Sequence, residues 1–226
     1  MIKFDSVSKA YSHGNFQLKD ISLQIDTNEF VFLVGPSGAG KTTLLKMILK
    51  DIIPTSGSIF VNDMEITDNK FTAIDKLRQQ IGVVFQDFKI INDKNIFENV
   101  ALSLKITQTA KKVIQDEVVK VLTMVGLEEK KLMFPIQLSA GELQRAAIAR
   151  AIIGGRDIIL ADEPTGNLDP KTAWEIMRIF KKLDHEEKTI IIATHNVDIV
   201  NSFKKRVIAL KEGMIKKDLR SASYEL

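Results

Sequence analysis

The chain has 226 residues, 45% hydrophobic and 27% charged. That is the ordinary balance of one large globular domain, or of two lobes on a shared core, and it excludes a disordered or fibrous chain. A formal charge of +3, from 32 Lys and Arg against 29 Asp and Glu, is too small to mark a nucleic-acid surface. The absence of cysteine excludes disulfides, thiolate zinc sites and cysteine nucleophiles together, and fits a reducing cytosol.

In chain order, Met1 to Asp5 lacks the apolar core of a signal peptide. Apolar runs bounded by turn residues predict strands at Ile2 to Phe4, Leu18 to Ile25 and Phe30 to Val34. A helical pattern opens at Thr43, and further strands fit Ser58 to Val61 and Gly82 to Phe85. Three helical patterns then follow without an intervening strand, at Ile96 to Ile106, Lys111 to Val125 and Gly141 to Ile153. The last strands, Ile158 to Ala161, Ile190 to Thr194 and Val207 to Leu210, are continuous Ile, Leu, Val and Ala, as parallel strands covered on both faces should be. The pattern predicts an α/β core from 1–86 and 156–226, with a helical insert at 87–155. No apolar run approaches the ~20 residues that span a bilayer. The basic residues Lys204, Lys205, Arg206, Lys211, Lys216, Lys217 and Arg220 read as a solvated face, with weak attraction to an anionic leaflet as the lesser alternative.

The strongest chemical signal is Gly35-Pro36-Ser37-Gly38-Ala39-Gly40-Lys41-Thr42-Thr43, set between a strand and a helix. Such a glycine-rich turn lets successive backbone N–H groups face phosphate oxygens at a helix N-terminus. Lys41 then offers a cation to the β- and γ-phosphates, and Thr42 a hydroxyl to Mg²⁺. A second signal is the strand Ile158 to Ala161 ending in Asp162-Glu163-Pro164. Paired carboxylates at the end of a buried strand need a charged partner, which assigns Asp162 to Mg²⁺ and Glu163 to the role of general base for the attacking water. Helix N-capping before Pro164 is the plain alternative. In the third signal, Ser139-Ala140-Gly141-Glu142, a capping box accounts for Ser139 and Glu142 but leaves Gly141 unexplained.

Together these segments resemble the ATP-binding cassette family: Gly35 to Thr42 resembles its Walker A loop, Asp157 to Glu163 its Walker B strand, and Ser139 to Glu142 its signature loop. The resemblance implies a RecA-like P-loop core with a mostly parallel sheet, an N-terminal antiparallel β subdomain and an inserted α-helical subdomain. It implies Tyr11 stacked on adenine, Gln86 as the lid glutamine sensing Mg²⁺ and water, and His195 as the switch histidine at the γ-phosphate, with Asn167-Leu168-Asp169 linking two active sites. It also implies a homodimer that sandwiches two ATP molecules, Ser139 and Gly141 of one protomer facing the γ-phosphate held by Lys41 of the other. Each of Tyr11, Gln86 and His195 has a plainer reading: core or surface, a solvated strand end, and a helix cap.

Val83 to Ile91, Asn95 to Ala101 and Trp174 are similar to the cell-division group of these ATPases. That likeness implies peripheral attachment at the cytoplasmic face of the cell membrane through an integral partner of the FtsX kind, with Phe88, Ile90 and Ile91 in the receiving groove or, alternatively, in the core. The segment Ala161 to Asp169 is shared with lipoprotein-release and macrolide-efflux ATPases, and a non-hydrolysing ATP-gated clamp is the second alternative. Ala140 stands where the family's signature loop commonly has glycine.

Overall fold

The computed structural model describes residues 1–11, 17–68 and 70–220. Strands β1 (Ile2–Ala10), β2 (Gln17–Ile25) and β3 (Phe30–Val34) lead into helix α1 (Lys41–Ile48). Then come β4 (Ser56–Val61), β5 (Met64–Glu65), α2 (Ile74–Gln80) and β6 (Ile81–Val84). Three helices follow in succession, α3 (Ile96–Ile106), α4 (Lys111–Val125) and α5 (Ala140–Ile152), before β7 (Ile158–Asp162). The chain continues through α6 (Pro170–His185), β8 (Thr189–Thr194), α7 (Val197–Phe203), β9 (Arg206–Lys211) and β10 (Met214–Leu219).

Two sheets form. The first, ordered β2-β1-β4-β5, is antiparallel. The second, ordered β10-β9-β3-β8-β7-β6, is parallel except for β10, which returns antiparallel along β9. Its inner strands are apolar without interruption because both faces are covered, and successive side chains go to opposite faces. Phe30, Phe32 and Val34 face a core shared with α3 to α7, while Val31 and Leu33 face one shared with α1, α2 and the antiparallel sheet. The middle helices thus pack into a core continuous with one face of the parallel sheet.

Local sequence explains the helix ends. Asn95 and Glu98 form a capping box on α3, Gly126 closes α4 in the left-handed region at φ 72°, and Asp169 caps α6 ahead of Pro170. No helix begins at Pro164. The C-terminal basic face is partly neutralised: Lys205 pairs with Asp184 at 2.7 Å, and Arg206 pairs with Glu29 at 2.9 Å and Asp218 at 2.6 Å. Among the described residues no helix is long and apolar enough to cross a membrane.

Candidate functional site

Register brings the chemical segments to one edge of the parallel sheet. Val34 pairs with Thr194, Asp162 with Ala193 and Val84 with Ala161, so β3, β8, β7 and β6 end side by side. The Gly35 loop, His195, Asp162 with Glu163, and Gln86 all emerge there, at the carboxyl ends of the strands where open α/β sheets bind ligands. One cavity of about 720 Å³ is lined by Tyr11, Gly35, Pro36, Ser37, Gly38, Ala39, Gly40, Lys41, Thr42, Thr43, Gln86, Asp162, Glu163 and His195. That volume lies within the roughly 300–1,000 Å³ of small-molecule sites.

The loop is shaped by its surroundings. Gly35 sits at φ 146°, and a Cβ there would lie 2.2 Å from the Leu210 carbonyl oxygen of β9, so only glycine fits. Gly40 is the N-cap of α1 and supplies no side-chain cap, which leaves the first-turn N–H groups of the helix for a ligand. Lys41 is buried; its ammonium donates to the Gly35 and Pro36 carbonyls at 2.8 and 3.2 Å and stands 3.9 Å from Glu163 Oε1.

Glu163 lies in the left-handed region at φ 47°, which costs a non-glycine residue of order 1–3 kcal/mol and concentrates at functional sites. Its N–H donates to the Ala193 carbonyl at 2.8 Å, which fixes it against β8. Oε1 lies 2.9 Å from His195 Nδ1, whereas Oε2 is buried with no partner. Asp162 Oδ1 is likewise buried and unpartnered. Burial pushes the Asp162 carboxyl up from its ordinary range, opposed chiefly by a hydrogen bond with the Thr42 hydroxyl and raised further by Glu163. Two buried carboxylates with free oxygens beside a hydroxyl fit a divalent cation. Among the described residues no group of three or more His, Cys, Asp or Glu is arranged to hold a metal ion by itself, so such an ion would draw its remaining ligands from water or from a bound phosphate, as Mg²⁺ commonly does. Gln86 and Tyr11 are exposed at the rim, and the Lys9 ammonium stands 5.4 Å from the Tyr11 ring centroid. His195 caps no helix; Asn196 does, its side chain accepting from the Ile199 N–H.

Ser139 and Gly141 do not line this cavity. Ser139 caps α5 in a capping box with Glu142, and Lys130 joins it by a very short contact to Glu142 Oε1. That ammonium, followed by the Ser139 N–H, holds the Glu142 carboxyl down at about 2. Gly141 acquires a packing reason as well: a Cβ there would lie 2.4 Å from Thr172 Cγ2 on α6.

Two residues that sequence reasoning missed govern the segment after Gln86. Phe88 and Lys89 both adopt the left-handed region, at φ 59° and 51°, and the Arg150 guanidinium of α5 donates to both their carbonyls, at 2.8 and 2.5 Å. Asn99 of α3 is wholly buried, its Oδ1 accepting from the Ile91 N–H at 2.8 Å and its amide donating to the Ile91 carbonyl at 3.0 Å. Asn99 carries a weak local signal, a polar residue on the apolar face of α3; Arg150 carries none, because its partners are backbone atoms far away in the chain. Ile90 packs against the core and Phe88 is half-buried.

Comparison with known proteins adds four findings. A family model described as "ABC transporter" matches residues 18–166. The "Cell division ATP-binding protein FtsE" of Bacillus subtilis is 46% identical over 99% of this chain and 98% of its own length. Among solved structures, "Dimeric Structure of MJ0796, a Bacterial ABC Transporter Cassette" superposes with a TM-score of 0.89 at 36% identity, covering 99% of this chain and all of that one. The same cassette in "a post-hydrolysis state … bound to ADP and Pi" also gives 0.89, at 35% identity over 99% of this chain and 100% of its own.

Proposed function

This chain belongs to the ATP-binding cassette (ABC) transporter family and is an ATP hydrolase, and from that premise we propose that it drives a membrane-bound cell-division complex by binding and splitting MgATP. The observation that carries the reading is the convergence at one sheet edge of the Lys41 loop with two carboxylates, Asp162 and Glu163, each keeping a buried oxygen without a partner.

The triphosphate lies along the first turn of α1, its oxygens taking N–H groups of residues 38–43 while Lys41 exchanges the Gly35 and Pro36 carbonyls for phosphate. Thr42, Asp162 and Gln86 would hold Mg²⁺, which when bound would supply positive charge to offset that of the β- and γ-phosphates. Glu163 accepts the proton of the attacking water, kept in place by its Ala193 tether, and His195, 2.9 Å from Oε1, orients that carboxylate and faces the γ-phosphate. Tyr11 covers the adenine.

Ser139 and Gly141 lie outside the cavity that holds the other nucleotide residues, which supports a second protomer supplying them. ATP then bridges two copies head to tail. Hydrolysis removes that bridge, and the segment 87–155 swings with the opening interface. A membrane partner of the FtsX kind holds the dimer at the cytoplasmic face; the cell-division role is supported by the name of the 46% identical relative, and the partner and its place rest on the likeness of Val83 to Ile91, Asn95 to Ala101 and Trp174 to that group.

The test is Glu163→Gln. Turnover should fall by about 10²–10⁴-fold, the contribution of a general base, and with MgATP the variant should elute at twice the monomer mass. A monomer under those conditions defeats the sandwich. Affinity capture of the chain from detergent-solubilised membranes should recover a division protein of the FtsX kind; recovery of a lipoprotein-extracting or macrolide-efflux permease instead would reassign it.

A further inference from the structure

Arg150 stands about 16 Å along α5 from Ser139, at a rise of ~1.5 Å per residue. It is a half-buried cation whose pKa burial lowers, yet among the described residues it makes no ion pair. Its guanidinium donates to two successive carbonyls, Phe88 O and Lys89 O. Those residues hold the left-handed conformation that side chains disfavour, so something outside the segment must keep them there. A planar guanidinium can span two adjacent carbonyls at once, which a lysine ammonium cannot do with fixed geometry.

The same end of α5 is seated on the sheet. A Cβ on Gly82 of β6 would lie 2.0 Å from the Ala151 carbonyl oxygen, so helix and strand touch backbone to backbone there. Gln86 leaves β6 two residues beyond its end at Val84 and two before Phe88, and Asn99 pins the far side of the segment at Ile91. The helix is therefore fixed close to its C-terminal end and carries Ser139 at the other.

We propose that Arg150 is a positioning residue that locks the segment after Gln86 to α5, so that displacement of Ser139 and resetting of Gln86 at the nucleotide are one motion. The proposal rests on the roles given above to Gln86 and Ser139. It concerns a residue that touches neither nucleotide nor metal, since Arg150 lies outside the cavity.

Arg150→Lys keeps the charge and loses the double contact. Phosphate release by the purified full chain should show kcat lower by about tenfold, as a small misplacement of a positioned group does, with ATP affinity, measured by fluorescent-nucleotide titration, within about twofold of wild type. Adding Lys89→Gly to Arg150→Lys should recover part of the lost kcat, because glycine adopts the left-handed region without the guanidinium; assaying both variants well below their Tm, where each is fully folded, separates this recovery from a gain in stability. A kcat left at the wild-type value, or a loss that glycine does not relieve, overturns the proposal. Should Arg150→Lys not fold, hydrogen exchange on the wild-type chain decides: amides of residues 87–91 and of the last turn of α5 must change protection together when MgATP is added, and independent responses reject the lock. Gln86→Ala, assayed alongside, separates the two levels, since an unchanged kcat there removes the reading of Gln86 itself.

Discussion

Replacing Gly82 by alanine tests how α5 is seated. The added Cβ would lie 2.0 Å from the Ala151 carbonyl oxygen, 2.8 Å from its carbon and 2.9 Å from Ile159 Cδ1. Two of those atoms are backbone, so no rotamer change relieves the clash, and α5 must retreat by about 1.4 Å to restore ordinary contact at 3.4 Å. Overpacking of a core costs about 1–3 kcal/mol, and a clash with helix backbone belongs at the upper end, about 3 kcal/mol. At about 2–4 °C per kcal/mol for a chain of this size, Tm should fall by roughly 6–12 °C. Urea unfolding followed by circular dichroism gives the free energy directly. Gly155→Ala is the internal comparison: its Cβ meets nothing within 4 Å, and only its φ of 68° resists substitution, at about 1–2 kcal/mol. If Gly82→Ala costs less than Gly155→Ala, the contact does not hold the helix.

Asp162→Asn should abolish Mg²⁺-dependent ATP hydrolysis while raising the Tm of the nucleotide-free protein. Burial raises the Asp162 pKa, so the folded state is penalised by the ionised form and loses stability as pH rises through that range; asparagine removes the penalty. A lower Tm at neutral pH, measured by calorimetry, would refute the assignment. Glu142 works in the opposite sense. Its carboxyl is held at about 2 against an ordinary 4.5, so its stabilisation is complete above 4.5 and is lost as pH falls toward 2. Thermal scans of Glu142→Gln should therefore be flatter than wild type across that window, and parallel curves would exclude the Lys130 and Ser139 contacts as the cause.

The phosphate loop was legible in the sequence because its constraints are local: a strand, glycines where side chains collide, and a helix start follow one another within a few residues. The parallel strands were legible as unbroken apolar runs for the same reason that they carry two cores. Strand β10 was not, since Met214–Leu219 is half charged and pairs only along one edge of β9. Helices α2 and α7 have seven residues each, too few for a helical period to declare itself. Strand β1 runs to Ala10, well beyond the Ile2 to Phe4 segment that announced it, because pairing with β2 and β4 on both sides carries the polar residues along. The capping box leaves Gly141 unexplained, and its neighbour, the Thr172 methyl, is a tertiary fact that no window around residue 141 contains. Arg150 was hidden for a related reason, its partners lying 61 and 62 positions earlier.

Strand β3 lies between β8 and β9, and Gly35 rests on the carbonyl of Leu210. Strand β3 thus waits for two strands that come much later in the chain. A growing polypeptide displays the wholly apolar Phe30–Val34 without either neighbour until Thr189 and then Arg206 have been synthesised, an interval during which an unpaired apolar strand is open to aggregation. Fragments from premature termination before β9 lack the prop beneath their nucleotide loop, so incomplete products should not compete with finished ones for ATP; nucleotide retention by arrested nascent chains of increasing length measures this order of events.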